Sequence, residues 1–337
     1  MNPIIPIYEY KVLQSIEQVE RDYDIQFSLR ITERCNISCE YCLWNHDIKY
    51  EHKSIDIIVD RLYELLAVLN KKSVLIYFHG GEPTTHPNLI QILKYIREKE
   101  QITGIKTYIE FQTNLVVKLE KLKDIIEIID GLNISLHLKE LIKTNSLKVF
   151  EKNYDYLVEI NYPILNLDVM LEYNIYNMFS YLRKVLKFLK YENIKISEMV
   201  YAYIDFDEKK DRYNNSIRKQ EYQLYEKLYK KYNKNEQQYQ IDGVIYSTND
   251  LFLQKLNCYG LKCIAGINHL IINGDGNVFI CNTHMTNYIN DRGGEVFTNL
   301  LNDANAVNKL RILNKLKCVT CKVDECSSDF YFSKWVA

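Results

Sequence analysis

The chain is poor in the residues that break regular structure. It has 5 Pro and 11 Gly in 337 residues. That excludes collagen-like chains and Pro- or Gly-rich linker arrays. No apolar run approaches the ~18 residues of a membrane-spanning helix. The opening MNPIIPIYEYKVLQ has neither the basic start nor the long apolar stretch of a secretory signal. A cytoplasmic protein with no membrane partner is therefore expected. Charge of one sign is also missing: 43 basic residues face 44 acidic ones, a net charge of -1. Without a basic excess, a nucleic-acid partner is not expected. The hydrophobic fraction of 47% with 26% charged residues is ordinary for a globular chain.

Cysteine is present, and its number and placement are informative. Nine is odd, so complete pairing within one chain is impossible. In a reducing compartment, clustered thiols point to metal or catalysis. Three stand at 35, 39 and 42, and the other six lie between 258 and 326.

Residues 25–204 alternate short β-rich runs with helical patterns. Strands are expected at 25–31, 74–79, 105–111, 132–138, 164–171 and 198–204. Their separation of ~30 residues suits βα units rather than hairpins. Apolar stripes between them read as helices: Ile57, Ile58, Leu62, Leu65, Leu66 and Leu69; Leu89, Ile90, Leu93 and Ile96; Ile125, Ile126 and Ile129. A full TIM barrel needs eight such units. Six imply an α/β fold with a partial (β/α)6 TIM-like barrel. Polar residues inside the first strand (Gln26, Ser28, Arg30) suggest that its inner face lines a cavity.

The expected organisation is an N-terminal extension at 1–24, the barrel at 25–206, a charged, tyrosine-rich helical connector at 207–257, and a small α+β domain at 258–337. In that last segment, Asn273-Gly274-Asp275-Gly276-Asn277 between two apolar runs signals a hairpin, and a helix follows near 300–316.

Cys35, Cys39 and Cys42 have the spacing C-x3-C-x2-C just after the first strand. Three thiolates on one compact loop can converge on a soft metal centre. Structural zinc sites close with a fourth ligand, for which His46 is available; three ligands alone leave an iron–sulfur cluster an open position.

This segment, ending in the aromatic-Cys pair Tyr41-Cys42, resembles the signature of the radical S-adenosylmethionine (SAM) superfamily. A second segment strengthens the likeness: Gly80-Gly81-Glu82-Pro83, ending the second strand, resembles that family's GGEP motif. The chemistry suits it, since glycine lets backbone approach a ligand closely and a carboxylate suits a cationic amine. The resemblance implies a [4Fe–4S] cluster on the three cysteines, SAM bound at its open iron, Tyr41 near the adenine, and residues 80–83 on the methionine ammonium. Softer matches are Gln112-Thr113-Asn114, where Leu115 replaces the usual glycine, and Ser135-Leu136-His137. They imply that Ser135 and His137 meet the ribose or carboxylate of SAM and that Thr113 and Asn114 also belong to the cofactor site. Strand-end polarity alone would also account for them, and His79 and His86 read as local hydrogen-bonding residues.

The order Cys258-x4-Cys263-x12-Gly276-x4-Cys281, then Cys318-x2-Cys321-x4-Cys326, resembles the SPASM/Twitch auxiliary-cluster domains of radical SAM enzymes. Two cysteines of the full pattern are absent; Asp324 or Asp329 stands near the place of one. Three arrangements remain: one cluster on four of the six thiols, two clusters on three each with Asp or substrate completing them, or one cluster and a metal-free pair. One auxiliary cluster, with Cys263 and Cys281 among its ligands, is the expectation, and two the alternative.

The resemblance implies a peptide or protein side chain as substrate, with a small carbohydrate-like or natural-product metabolite as alternative; tRNA and a non-catalytic role are minor. A leader-binding domain is not expected, because few residues precede the first strand. Asn282, where sulfatase-maturing relatives carry Asp after the G-x4-C cysteine, argues against that chemistry. A flavodoxin- or ferredoxin-type reductant is the implied partner. Glu172, Asp168, Tyr201 and Tyr203 are candidate cavity residues on late strands; none is assigned a catalytic role.

Overall fold

The computed structural model describes residues 11–13, 23–39, 42, 55–170, 194–197, 238–241, 244–247, 262–263, 266–289, 294–316 and 319–320. The chain divides into two compact units. One comprises residues 1–35, 43–110 and 236–337, the other residues 36–42 and 111–235.

In the first unit a short strand β1 (Lys11–Leu13) stands apart from the main sheet, which begins with β2 (Ile25–Arg30). Helix α1 (Ile55–Val68) leads to β3 (Ser73–His79), and α2 (Leu89–Thr103) leads to β4 (Lys106–Thr113), which belongs to this unit up to Glu110. β2 and β3 are parallel, with Ser28 opposite Tyr77 and Arg30 opposite His79. All six residues of β2 are buried, because the strand is covered on both faces. Phe27 and Leu29 share one face with their register partners Ile76 and Phe78. The side chains that α1 buries are Ile55, Ile58, Val59, Leu62, Tyr63, Leu65 and Leu66, the wide apolar stripe of a helix laid on a core. Gln26, Ser28 and Arg30 alternate onto the other face.

In the second unit β4 ends at Phe111–Thr113. Helix α3 (Leu119–Ile126), strand β5 (Gly131–Leu136), helices α4 (Leu138–Lys143) and α5 (Leu147–Glu159), and strands β6 (Ile164–Met170) and β7 (Ile194–Ser197) follow. The end of β4, β5, β6 and β7 run side by side, with β5–β6 and β6–β7 parallel. The strands expected at 25–31, 74–79, 105–111, 132–138 and 164–171 are present, shifted by one or two residues at their ends. The strand expected at 198–204 lies outside the described residues; β7 is the described partner of β6.

Within the expected helical connector, residues 207–237, 242–243 and 248–257 lie outside the described residues, but β8 (Gln238–Ile241) and β9 (Val244–Ser247) form an antiparallel pair, and β1 joins β8. This stretch is strand, not helix. Its residues are aromatic, β-branched and polar in alternation, and Asp242-Gly243 stands between the two runs, a turn pair that favours a hairpin over a continued helix.

The C-terminal part of the first unit contains β10 (Lys262–Cys263), β11 (His269–Asn273), β12 (Asn277–Phe279), α6 (Asn282–Ile289), β13 (Thr298–Asn299), α7 (Ala306–Asn314) and β14 (Val319–Thr320). The expected hairpin is β11–β12, closed where the Gly276 N–H donates to Asn273 O at 2.9 Å. Gly276 has φ +84°, and a Cβ there would stand 2.7 Å from Leu301 Cγ, so glycine is required twice over. The hairpin extends the main sheet: β11 lies parallel to β2, with Asn273 opposite Arg30. This pairing covers an edge of β2 that would otherwise offer unpaired backbone groups. The fold is α/β with a mostly parallel, open sheet; the row of strands ends at β13 in the first unit and at β7 in the second. No helix among the described residues is long and apolar enough to cross a membrane.

Candidate functional site

Two loops are fastened together at the C-terminal ends of β2 and β3. The Gly81 N–H donates to Thr32 O at 3.0 Å and the Glu82 N–H to Arg34 O at 2.7 Å. The approach leaves no room for side chains. A Cβ on Gly81 would sit 2.2 Å from Arg34 O, and one on Gly80, at φ +135°, 2.6 Å from Thr32 O. Glu82 is buried; its carboxylate accepts the Thr84 N–H at 3.1 Å and caps the short turn Pro83–Thr85. The expected Gly80–Pro83 segment thus lies hydrogen-bonded against the residues leading directly into Cys35.

Cys35, Cys39 and Cys42 are each half-buried. Cys35 ends a segment of the first unit, and Cys39 and Cys42 belong to the second. The Cys42 N–H donates to Cys39 O at 3.0 Å, so the C-x2-C segment is a closed turn of the kind that presents two thiols together. Among the described residues no group of three or more His, Cys, Asp or Glu is gathered closely enough to hold a metal ion as it stands. The donor set nevertheless suits an iron–sulfur cluster: soft thiols and a closed C-x2-C turn. Tyr41 lies outside the described residues.

In the second unit, Asn36 and Asn114 tie the cysteine segment to the end of β4. Asn114 Nδ2 donates to Asn36 Oδ1 at 2.7 Å, Asn36 Nδ2 donates to Val116 O, and Asn114 Oδ1 accepts the Val116 N–H at 2.9 Å. Leu115, which replaces the expected glycine, is buried at φ +60°, a conformation costly to a residue with a Cβ. Two contacts hold it, the Leu115 N–H on Thr113 Oγ1 at 3.0 Å and Asn153 Nδ2 donating to Leu115 O at 2.9 Å; Asn153 Nδ2 also donates to Val117 O at 2.7 Å. Ser135 is buried at the end of β5 and accepts from Gln112 Nε2 at 3.1 Å. His137 heads α4, and burial lowers its pKa to about 4.

The inner face expected from Gln26, Ser28 and Arg30 to line a cavity is instead a buried polar layer, and the sequence did not single out Glu33 or His269 as members of it. Arg30 and Glu33 form an ion pair with both side chains almost wholly buried. Arg30 Nη1 also reaches Met285 Sδ on α6 at 3.7 Å. Burial raises the Glu33 pKa despite the Arg30 charge. His79 is pushed well below 6.5 by burial, then by Arg30 and His269. His269 bonds Ser28 Oγ through Nε2 at 2.8 Å, and burial lowers its pKa to about 4. The alternation Gln26-x-Ser28-x-Arg30 was the available signal, but its partner strand β11 lies far away in sequence.

His269 makes stability depend on pH. The unfolded histidine takes up a proton near 6.5, the folded one only near 4. The contribution is complete above 6.5 and is lost as pH falls from there toward 4, on the order of 1.4 kcal/mol per pH unit. His269→Gln should therefore lose less stability than the parent between pH 7.5 and 5, by roughly 2 kcal/mol. Urea unfolding at both pH values measures this, and equal losses would exclude it.

Of the second cysteine set, Cys281 is half-buried between β12 and α6. Cys263 lies in β10 opposite Val319 of β14. Cys258, Cys318, Cys321 and Cys326 lie outside the described residues, as do Glu172, Tyr201, Tyr203, Asp324 and Asp329. Asp168 is half-buried on β6.

Residues 29–185 match the Radical SAM superfamily. A curated relative, Molybdenum cofactor biosynthesis protein 1 of Drosophila melanogaster, is 27% identical over 157 residues, 43% of this chain and 27% of that protein. PqqA peptide cyclase of Bradyrhizobium diazoefficiens is 29% identical over 80 residues, 23% of this chain and 20% of that protein. The matched stretches thus span about a quarter of these relatives. Among solved structures, anSMEcpe with bound AdoMet shares the fold at TM-score 0.55 and 18% identity, over 87% of this chain and 84% of that one. The same protein with AdoMet and the Cp18Cys peptide gives 0.53 and 16%, over 86% and 83%. The family match and the enzymes among the relatives indicate an enzyme, and the family implies a [4Fe–4S] cluster and SAM.

Proposed function

We infer that this chain is a radical SAM enzyme acting on a peptide or protein side chain. The observation that carries the reading is the pair of backbone bonds joining Gly81 and Glu82 to Thr32 and Arg34. They hold a cysteine-bearing loop against a glycine-rich loop with a buried carboxylate, two parts of one ligand site. Cys35, Cys39 and Cys42 would hold a [4Fe–4S] cluster, which would supply the one-electron chemistry for cleaving SAM to methionine and a 5′-deoxyadenosyl radical able to take a hydrogen atom from substrate.

The protein's own residues bind and orient. Gly80 and Gly81 let backbone come close to the methionine part of SAM, and Glu82 and Pro83 shape that end of the site around the ammonium. Thr113, Asn114, Ser135 and His137 take the ribose and carboxylate; His137, neutral at pH 7, offers one donor and one acceptor. Tyr41 packs on the adenine. Burial around these groups excludes water from a reactive radical.

One auxiliary cluster would be held by four of Cys258, Cys263, Cys281, Cys318, Cys321 and Cys326, with Cys263 and Cys281 among them. The backbone pairing of Cys263 with Val319, the residue that follows Cys318 in the sequence, supports this. A peptide substrate is supported by the relatives, which include a peptide cyclase and a protein solved with a peptide. The likeness to a cofactor-biosynthesis protein supports the second reading, a small-molecule substrate. The enzyme works in the cytoplasm with a small reductant protein.

The test is anaerobic reconstitution followed by reduction with dithionite in the presence of SAM. A brown protein absorbing near 400 nm, about eight iron atoms per chain and formation of 5′-deoxyadenosine are expected. About four iron atoms would remove the auxiliary cluster, and about twelve would favour two. A colourless protein making no 5′-deoxyadenosine would overturn the reading.

A further inference from the structure

The second unit carries an open groove of about 550 Å³ outside the site described above. The loop Val116–Lys118 and the first turn of α3 form one wall, and α5 forms the other, with Lys148, Val149 and Lys152. Lys148 and Lys152 are one helical turn apart and share a face of α5. Lys118, Lys148 and Lys152 are exposed, and so is Val149 at 39%. The one acid lining the groove is Glu120. The chain as a whole carries a net charge of -1, so this basic concavity is local. The N-terminal end of α3 adds its positive dipole to the same wall. Asn153 ties the walls together, donating from α5 to Leu115 O and Val117 O.

The groove is next to the cysteine segment. Val116 lines it, and the Val116 carbonyl accepts from Asn36, the residue after Cys35. The turn Cys39–Cys42 belongs to the same short segment, 36–42. The Asn36–Val116 bond thus joins the groove wall to the segment that carries Cys39 and Cys42.

We propose that the groove between the 116–120 loop and α5 docks a small acidic one-electron carrier protein, steered by Lys118, Lys148 and Lys152, with Val149 as the apolar contact. The proposal rests on the reading of Cys35, Cys39 and Cys42 as ligands of a reducible cluster. In each event the carrier is oxidised by one electron and the cluster is reduced by one. Charge complementarity speeds encounter and sets orientation, while the Val116–Asn36 contact gives a short path from the docked surface to the cysteine segment.

The test compares the parent enzyme with the triple variant Lys118→Glu, Lys148→Glu, Lys152→Glu and with the neutral triple Gln variant, using photoreduced acidic flavodoxin as the probe. We expect the KM for flavodoxin in 5′-deoxyadenosine formation to rise about tenfold or more in the Glu variant and by an intermediate factor in the Gln variant. The dissociation constant for oxidised flavodoxin, measured by calorimetry, should rise in parallel. Added salt should weaken binding of the parent and not of the Glu variant. Dithionite-driven SAM cleavage, which needs no docking, should stay within about twofold in all three. An unchanged flavodoxin affinity overturns the proposal. So does unchanged affinity with weakened turnover of an acidic peptide under dithionite, which would make the groove a substrate site. If the parent makes no 5′-deoxyadenosine even with dithionite, the functional reading fails, while the calorimetry still reads the groove.

Discussion

Cys39→Ala should leave a protein that makes no detectable 5′-deoxyadenosine and holds about four fewer iron atoms per chain than the parent. The Cys42 N–H meets Cys39 O, a backbone bond that alanine keeps, so the variant removes the thiolate and leaves the turn. Three protein thiolates are the least that hold a cubane cluster with one iron open, and two leave a second iron without a protein ligand. The loss should therefore be nearly complete, unlike the graded effects of substitutions around SAM. Cys281→Ala gives the contrast: iron from the auxiliary site is lost, while cleavage of SAM persists. Iron quantitation and chromatography of the SAM products decide between the two. Retained SAM cleavage in Cys39→Ala would refute the central assignment.

Arg30→Met should destabilise the protein by about 3–5 kcal/mol. The Arg30 and Glu33 side chains are 0% and 1% exposed. Removing the guanidinium strands a carboxylate that has no access to water, and one Glu33 oxygen, Oε1, already has no hydrogen-bond partner among the described residues. Arg30→Met/Glu33→Gln should regain most of the loss, because the stranded charge is removed with it; replacing both members of a buried pair is often close to neutral. Urea midpoints of the parent, both single variants and the double variant complete the cycle. A loss under about 1 kcal/mol for Arg30→Met would show that the pair does not carry this part of the core. The effect reaches the site through the chain itself: Glu33 stands two residues before Cys35, and Met285, the other contact of Arg30, four residues after Cys281.

Much of the α/β sheet was legible because its signals are local. The period of α1 and the β-branched runs of β2, β3 and β5 concern neighbours one or two turns away. C-x3-C-x2-C and Gly80–Pro83 were legible for a related reason, since each is a short segment whose chemistry needs particular residue types in a fixed order. Asp242-Gly243 was as readable as these, but the charged helical pattern before it was extended across it. Leu115 was noticed as a departure from glycine, yet only the backbone shows φ +60° there and the Asn153 bond that holds it.

By itself, then, the sequence determined an α/β chain with strands in βα repeats, the three-cysteine motif, the glycine–carboxylate loop and a late hairpin. Each depends on residues close together in the chain. Tertiary structure alone decided the rest. The hairpin lies parallel to β2, so that His269 meets Ser28 and Asn273 stands opposite Arg30. Arg30, already paired with Glu33, reaches Met285 of α6 in the interior. Three lysines and Val149 line a groove next to the cysteine segment. These are encounters between segments separated by tens to hundreds of residues. They are selected by which edges and faces remain to be covered once the local elements have formed, and a single sequence records no term for that choice.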